Sequence, residues 1–284
     1  MKIINIELYK YFNLISDYKA TLTVYVPNET ALNVKEPRLR PAILIIPGGG
    51  YTHIGIREGE PIAVKFLSEG YIPFVLEYST AGAAYPTQQI EASLAMALIR
   101  GFGKDYNADP TKVAVIGFSA GAHLACSLSC IYGEPEVSEV LKATKFFKEN
   151  GLELIKADAL VLCYPVISSN ESVWHKGSFE TLAKGNNELI ARLSLENRVE
   201  AGFPPTYIWH TMQDQSVPTE NSLLLALALQ KHNVPYELHI HERGKHGLSL
   251  ANKVVSVEEP EVSNGVKGWF NEALNFLKEH GVKL

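Results

Sequence analysis

Four short runs in this 284-residue chain are apolar at every position: ILII (43–46), FVL (74–76), VAVI (113–116) and ALVL (159–162). A strand with one wet face alternates polar and apolar residues. A strand that is apolar throughout has both faces covered, which marks a parallel sheet held between two layers of helices. With their flanks, these runs and their neighbours predict strands over 20–27, 41–47, 71–79, 112–118, 157–165, 205–211 and 236–242. Helical periodicity falls between them, over 58–69, 87 to about 103, 120–132, 219–232 and 264–280. This alternation predicts an α/β fold, a doubly wound and mostly parallel sheet with helices on both faces. The run TLTVYV (21–26) alternates instead, so the first 27 residues predict an antiparallel edge pair. With no internal repeat or low-complexity linker, the expectation is a single domain over 1–284. The segment 166–202 breaks the alternation: its first part is polar, and a helical stretch follows near 186–196. It is expected to be an insertion over the top of the sheet, a small cap.

Composition narrows the function classes. At 46% hydrophobic and 20% charged residues, the chain can bury a large core. A net charge of −5 and no Lys/Arg stripe argue against a nucleic-acid partner. The opening MKIINIELYKYFNLISDYKA lacks the continuous apolar stretch of a signal peptide. The apolar run 223–229 is far too short to span a bilayer, so no membrane partner is expected and a cytoplasmic location follows. Three cysteines, Cys126, Cys130 and Cys163, are an odd number, and CSLSC is not a metal-ligand spacing. They read as reduced core thiols, and no metal site is expected.

The most informative stretch is VAVIGFSAGAHLA (113–125). Gly117-Phe118-Ser119-Ala120-Gly121 fits G-x-S-x-G, here preceded by a buried strand and followed by an alanine-rich helix. A strand that turns at once into a helix strains the corner residue, and its neighbours two positions away must be small. The serine oxygen then stands clear of the sheet at a helix N-terminus, where the dipole favours a developing anion. Serine is a weak nucleophile at neutral pH and needs a base, which needs an orienting acid. On such a scaffold the chain order is Ser, acid, His. Asp214 follows a predicted strand in HTMQDQSVP, and His246 lies in the loop after the next strand, in RGKHGLSL. His210 closes a strand and His239 and His241 alternate within one, which are structural or surface positions. His123, on the helix after the serine, points into packing or a local hydrogen bond. Asp158 begins its strand and so lies at the wrong edge.

The strand AILII ends in Pro47-Gly48-Gly49-Gly50-Tyr51. Consecutive glycines let backbone amides approach a ligand closely. Acyl transfer needs such donors, because charge develops on the carbonyl oxygen in the transition state. Gly49 and Gly50, with the amide of Ala120, are the candidate oxyanion donors, and Gly48 stays open as a further one. GGGYTHIG is not G-x-G-x-x-G, and no Walker lysine follows, so a phosphate loop is disfavoured.

Together, PGGGYTHIGIREGEPIA, the YP of AAYPTQQIEASLAMALIR, YNADPTKVAVIGFSAGAHLA, HTMQDQSVP and GKHGLSL resemble α/β-hydrolase-fold esterases. The resemblance covers most of the chain. It points to the bacterial acetyl-esterase/lipase-like group, with its feruloyl- and acetylxylan-esterase-like members, and more distantly to the hormone-sensitive-lipase and kynurenine-formamidase families. Three positions depart from that pattern. Pro47 stands where a histidine usually braces the glycine loop, Ala122 where glycine is common, and Ser79 where an arginine is common. The resemblance implies a serine carboxylic-ester hydrolase without metal or organic cofactor, acting through Ser119, His246 and Asp214 by an acyl-enzyme. Its expected partner is a small-molecule ester, and acetyl esters of sugars or xylan fragments suit the residues near the mouth: Tyr51, His53, Tyr85, Trp174 and His175. Tyr85 and Trp174 fit equally a role in packing the insertion onto the body. An amidase, formamidase or peptidase would use the same triad, whereas a non-catalytic binding protein would lack one of its members. A homo-oligomer through an edge strand or the last helix stays open.

Overall fold

The computed structural model describes residues 1–28, 38–80, 82–256 and 265–284. Its centre is an eight-stranded sheet: β1 (Lys2–Glu7), β2 (Thr21–Val26), β3 (Arg40–Ile46), β4 (Ile72–Glu77), β5 (Ala108–Phe118), β6 (Ala159–Cys163), β7 (Thr206–Thr211) and β8 (Tyr236–His241). The spatial order is β1-β2-β4-β3-β5-β6-β7-β8. β2 runs antiparallel to both β1 and β4, and every other pairing is parallel. The expected doubly wound sheet with an antiparallel edge pair is therefore present.

Strand periodicity accounts for the two-sided core. In β3, Ala42, Leu44 and Ile46 join one buried cluster, while Ile43 and Ile45 join the other. The first face is covered by helices that include α3 (Thr87–Phe102), α4 (Ala120–Ser127) and α9 (Glu220–Lys231). The second face is covered by α2 (Glu60–Ser68) and α10 (Trp269–Glu279). Asn264, the expected start of the last helix, lies outside the described residues. β8 is the far edge strand, and all six of its residues are partly exposed, which is why YELHIH mixes polar and apolar positions.

Some boundaries differ from the sequence reading. α4 stops at Ser127 rather than continuing to Tyr132, and a run of turns follows. Two further helices, α5 (Pro135–Ala143) and α6 (Lys145–Asn150), fill a stretch in which the sequence reading placed none. The segment 166–202 carries α7 (Lys176–Ala183), α8 (Asn187–Arg192) and a 3₁₀ turn, Leu195–Arg198. It packs beside α4 and α9. The amides of Ile167 and Ser168 donate to Asn221 Oδ1 on α9, and the carbonyl of Leu193 meets His123 of α4.

The topology also places a crevice. From β3 the chain crosses to β4 on one side; from β5 it crosses to β6 on the other. β3 and β5 are thus neighbours whose connections diverge, and a ligand crevice is expected at their carboxyl ends. The glycine loop follows β3, and Ser119 follows β5.

Candidate active site

Ser119 sits between β5 and α4 with φ 53° and ψ −119°. A non-glycine residue held there stores strain, and such strain persists only where its surroundings over-determine it. The surroundings here are the two flanking glycines. A Cβ on Gly117 would collide with the carbonyl of Gly121, and one on Gly121 with the carbonyls of Ile46 and Pro47. The corner is also pinned by its backbone, since Ser119 N donates to Cys163 O at 3.0 Å.

His246 Nε2 lies 2.8 Å from Ser119 Oγ, and His246 Nδ1 lies 2.6 Å from Asp214 Oδ2. The carboxylate can only accept, so Nδ1 carries the proton and Nε2 is left to accept from the serine hydroxyl. The ring edge also packs on Tyr164, with centroids 5.0 Å apart. Asp214 is buried. Its other oxygen accepts the amides of Ser216 and Val217, both at 2.9 Å. Burial alone would raise the acid's pKa. Hydrogen bonds from His210 and His246, the charge of His246 and the Val217 amide outweigh it and hold the carboxyl well below the usual carboxylate range.

Of the two placements the sequence left open for His210, structural or surface, the structural one is found: it is fully buried, against Asp214. Its Nε2 faces Val217 O at 3.0 Å and Asp214 Oδ2 at 3.2 Å. Both are acceptors, so Nε2 is the donor and Nδ1 receives the Ser222 hydroxyl at 2.8 Å. Spacing held the signal: His210 stands four residues before the acid, in the strand that delivers it.

The glycine loop turns through three consecutive positive φ angles, at Gly49 (123°), Gly50 (61°) and Tyr51 (63°). Among the described residues the amides of Gly49, Gly50 and Ala120 meet no protein acceptor, so they remain available to a ligand. No histidine precedes the glycines, and the loop is braced by other groups. Tyr78 donates to Pro47 O at 2.9 Å, and Gly48 N donates to Glu58 Oε2 at 2.8 Å. Glu58 was absent from the sequence reading. In REGEP it looks like an acid at a helix start, whereas its side chain turns inward and is buried.

Ser119, His246, Gly49, Gly50 and Glu58 line one open cleft of about 610 Å³. His53 and His175 also line it. The three aromatic rings expected at its mouth are elsewhere. Tyr51 is buried, and its hydroxyl donates to His123 Nδ1 at 2.8 Å, because His123 Nε2 must donate to Leu193 O. Tyr85 lies between Ile131, Leu189 and Leu193. Trp174 stacks on Phe179, 6.3 Å between centroids, against the core. Their area is spent on packing the 166–202 segment to the body, the role the sequence left open for Tyr85 and Trp174. Asp158 likewise sits at the opposite edge of the sheet, in a two-pronged pair with Arg100 at 3.0 Å. Cys126 and Cys163 are buried, Cys130 is half-buried, and all three are unpaired thiols. Among the described residues, no three His, Cys, Asp or Glu side chains cluster as metal ligands, and no helix is long and apolar enough to cross a membrane.

A serine, histidine and acid stand in hydrogen-bond sequence at the carboxyl ends of β5, β8 and β7, beside the amides after β3, on an α/β-hydrolase fold. The chain belongs to the BD-FAE family, whose model matches residues 22–229. It is 34% identical over 238 residues to endo-1,4-beta-xylanase B of Butyrivibrio fibrisolvens, a match covering 80% of this chain and 35% of that protein. It is 28% identical over 247 residues to an acetylxylan esterase of Xylanibacter ruminicola, covering 84% of this chain and 45% of that protein. The chain thus spans less than half the length of these relatives. Among solved structures it resembles an acetyl ester-xyloside bifunctional hydrolase from Caldicellulosiruptor lactoaceticus. That match has 34% identity and a TM-score of 0.80, and covers 99% of this chain and 97% of the other.

Proposed function

We propose that the chain hydrolyses small acyl esters, acetyl esters of sugars or xylan fragments above all, through a Ser119 acyl-enzyme. The observation that carries this reading is the continuous relay from Ser119 Oγ through His246 to Asp214. Ser119 attacks the ester carbonyl as His246 Nε2 takes its proton. Asp214 keeps His246 in the required tautomer and stabilises the imidazolium. The amides of Gly49, Gly50 and Ala120 receive the oxyanion. His246 returns its proton to the leaving alcohol, and water then releases the acyl group by the same steps in reverse. A non-catalytic binding protein would have lost or displaced a triad member, and these three stand within hydrogen-bond distance.

Two histidines favour a hydroxyl-bearing substrate. Ser178 N–H points at His175 Nδ1 at 3.3 Å, and the Ser178 hydroxyl lies 2.8 Å from the same nitrogen. Nδ1 is therefore the acceptor and Nε2 carries the proton. Burial and the charge of His246, opposed by Asp214, lower the His175 pKa and keep the ring neutral. At His53 the sense is reversed. Thr52 spends its hydroxyl proton on Gly49 O, so it accepts from His53 Nδ1 at 3.1 Å, and His53 Nε2 is an acceptor. One donor and one acceptor on the cleft wall match a sugar hydroxyl, which is both. Relatives named as an acetylxylan esterase and an acetyl ester-xyloside hydrolase agree with that chemistry.

A p-nitrophenyl ester series of rising chain length, together with acetylated xylose and an anilide, tests the reading. Turnover that is fastest on acetate, extends to the acetylated sugar and vanishes in Ser119→Ala supports it. A preference for long chains or for the anilide overturns the substrate assignment.

A further inference from the structure

Glu58 is a buried carboxylate in the cleft wall, and ester hydrolysis as derived above gives it no task. Its two oxygens face two different loops. Oε2 accepts the amide of Gly48 at 2.8 Å, directly before the oxyanion glycines. Oε1 accepts the Tyr164 hydroxyl at 2.6 Å. The Tyr164 hydroxyl oxygen in turn accepts the amide of Ser249, three residues past His246, at 3.0 Å, and the Tyr164 ring packs on the imidazole itself. Ser249 closes the circuit by donating its hydroxyl to Arg57 O, beside Glu58, at 2.6 Å. We infer that Glu58 is a positioning residue for the hydrolysis: its carboxylate, acting through Tyr164, locks the oxyanion loop to the loop that carries His246.

The hydrogen-bond pattern suits the ionised form best. The Tyr164 hydroxyl oxygen already accepts from Ser249, so its own proton is directed to Glu58, and Gly48 N–H can only donate. Protonation would weaken Glu58 as the acceptor of these two donors. The fit is tight, since a Cβ on either Gly48 or Gly55 would come within 3 Å of Oε2. The titratable and charged groups that face Glu58 are Tyr164 and Cys163 at the end of β6, Tyr78 after β4, Arg57 beside it and His246 across the cleft. Burial pushes the Glu58 carboxyl up, against the Tyr164 hydroxyl, the Gly48 amide and the charges of His246 and Arg57. Its ionisation is therefore lost at a higher pH than that of an ordinary glutamate. Release of the loop lock then contributes to the loss of activity on the acid side.

The inference rests on the ester-hydrolase reading, and the test separates the two. Wild type, Glu58→Gln, Tyr164→Phe and the double variant are compared by p-nitrophenyl acetate hydrolysis across pH and by the rate at which a fluorophosphonate labels Ser119. Labelling needs the nucleophile and oxyanion amides but no particular ester. If wild type labels Ser119 but turns over no ester, the substrate reading fails while the labelling comparison still judges Glu58. The expected result for Glu58→Gln is a fall of about ten- to a hundredfold in kcat and in labelling, with KM within about threefold. Its acid limb becomes shallower and moves to lower pH, because the raised Glu58 carboxyl no longer titrates there. Tyr164→Phe keeps the ring on His246 and removes only the link. It should lose activity in the same sense, and the double variant should be no worse than Glu58→Gln. If Glu58→Gln does not fold, Tyr164→Phe carries the comparison. Folded variants with wild-type kcat, labelling and pH limb would overturn the inference. So would a lowered Tm with an unmoved pH limb, which would leave Glu58 a purely structural role.

Discussion

Asp214 accepts four hydrogen bonds on two oxygens: from Ser216 and Val217 on one, from His246 and His210 on the other. That full coordination is what holds its pKa down and keeps it charged while His246 cycles. Asp214→Asn keeps the shape but presents an amide N–H₂ or a weaker acceptor to His246, favouring the wrong tautomer. A loss of about a thousand- to ten-thousandfold in kcat is expected with little change in KM, measured on p-nitrophenyl acetate. The sign of the stability effect follows from the same shift. The folded pKa lies below the unfolded one, so the contribution of Asp214 is present above pH about 4 and is lost as pH falls below it. Urea midpoints of wild type and Asp214→Asn should therefore converge as the pH is lowered through that range; a constant gap would contradict the account. His210 shows where residue-level reading stops. Its position in a strand was visible, but its contact with Asp214 depends on how the 211–217 loop folds back over the strand end.

At the scale of elements, the strand-to-helix corner makes the sharpest demand. A methyl at Gly121 would meet two backbone carbonyls, and neither can move without pulling β3 out of register with β5. Gly121→Ala should cost about 3 kcal/mol, a Tm fall of roughly 6–12 °C seen in a thermal melt, with activity lost alongside. α7 offers a milder case. His175 caps it by accepting Ser178 N–H, and the proposed sugar contact falls to its other nitrogen. His175→Ala should lose about 1 kcal/mol of stability, raise KM for acetylated xylose several-fold and leave p-nitrophenyl acetate nearly untouched. Equal effects on both esters would remove His175 from the sugar site. The strands were legible because ILII, VAVI and ALVL answer one local question, whether both faces are covered. α5 and α6 were not. Each spans only six to nine residues, and their buried apolar positions, Val137, Leu141 and Phe147, are too few to establish a period. Their ends were nevertheless marked, by Pro135 at the start of α5 and by the Thr144 cap of α6, which accepts the Phe147 amide. The aromatic positions misled for a related reason: a large ring near a motif fits a cleft or a core equally well until the packing is known.

Across the whole molecule, stability and chemistry sit at opposite edges of the sheet. At the carboxyl edge are the strained Ser119, the glycine loop and the buried Glu58. At the amino edge Arg100 ties Asp158 to the carbonyls of Pro110 and Lys156, at 2.6 and 2.8 Å, while Asp158 also accepts the Val113 amide at 2.6 Å. Removing one partner leaves the mostly buried Arg100 without its anion. Asp158→Ala should cost about 2–3 kcal/mol, read from denaturant midpoints, with kcat/KM unchanged at a temperature where the variant stays folded. A loss of kcat/KM there would mean that the two edges are coupled. The class of the molecule was legible because the elbow, acid and base lie in three separate top-edge loops whose order can be read along the chain. Glu58 was not, because its role depends on three loops meeting in space. The most direct test of the central claim is mass spectrometry of the protein quenched within milliseconds of mixing with p-nitrophenyl acetate. The account predicts a mass increase of one acetyl group on the peptide bearing Ser119, decaying at the rate of turnover and absent in Ser119→Ala. Turnover without that adduct, or an adduct on another residue, would contradict it.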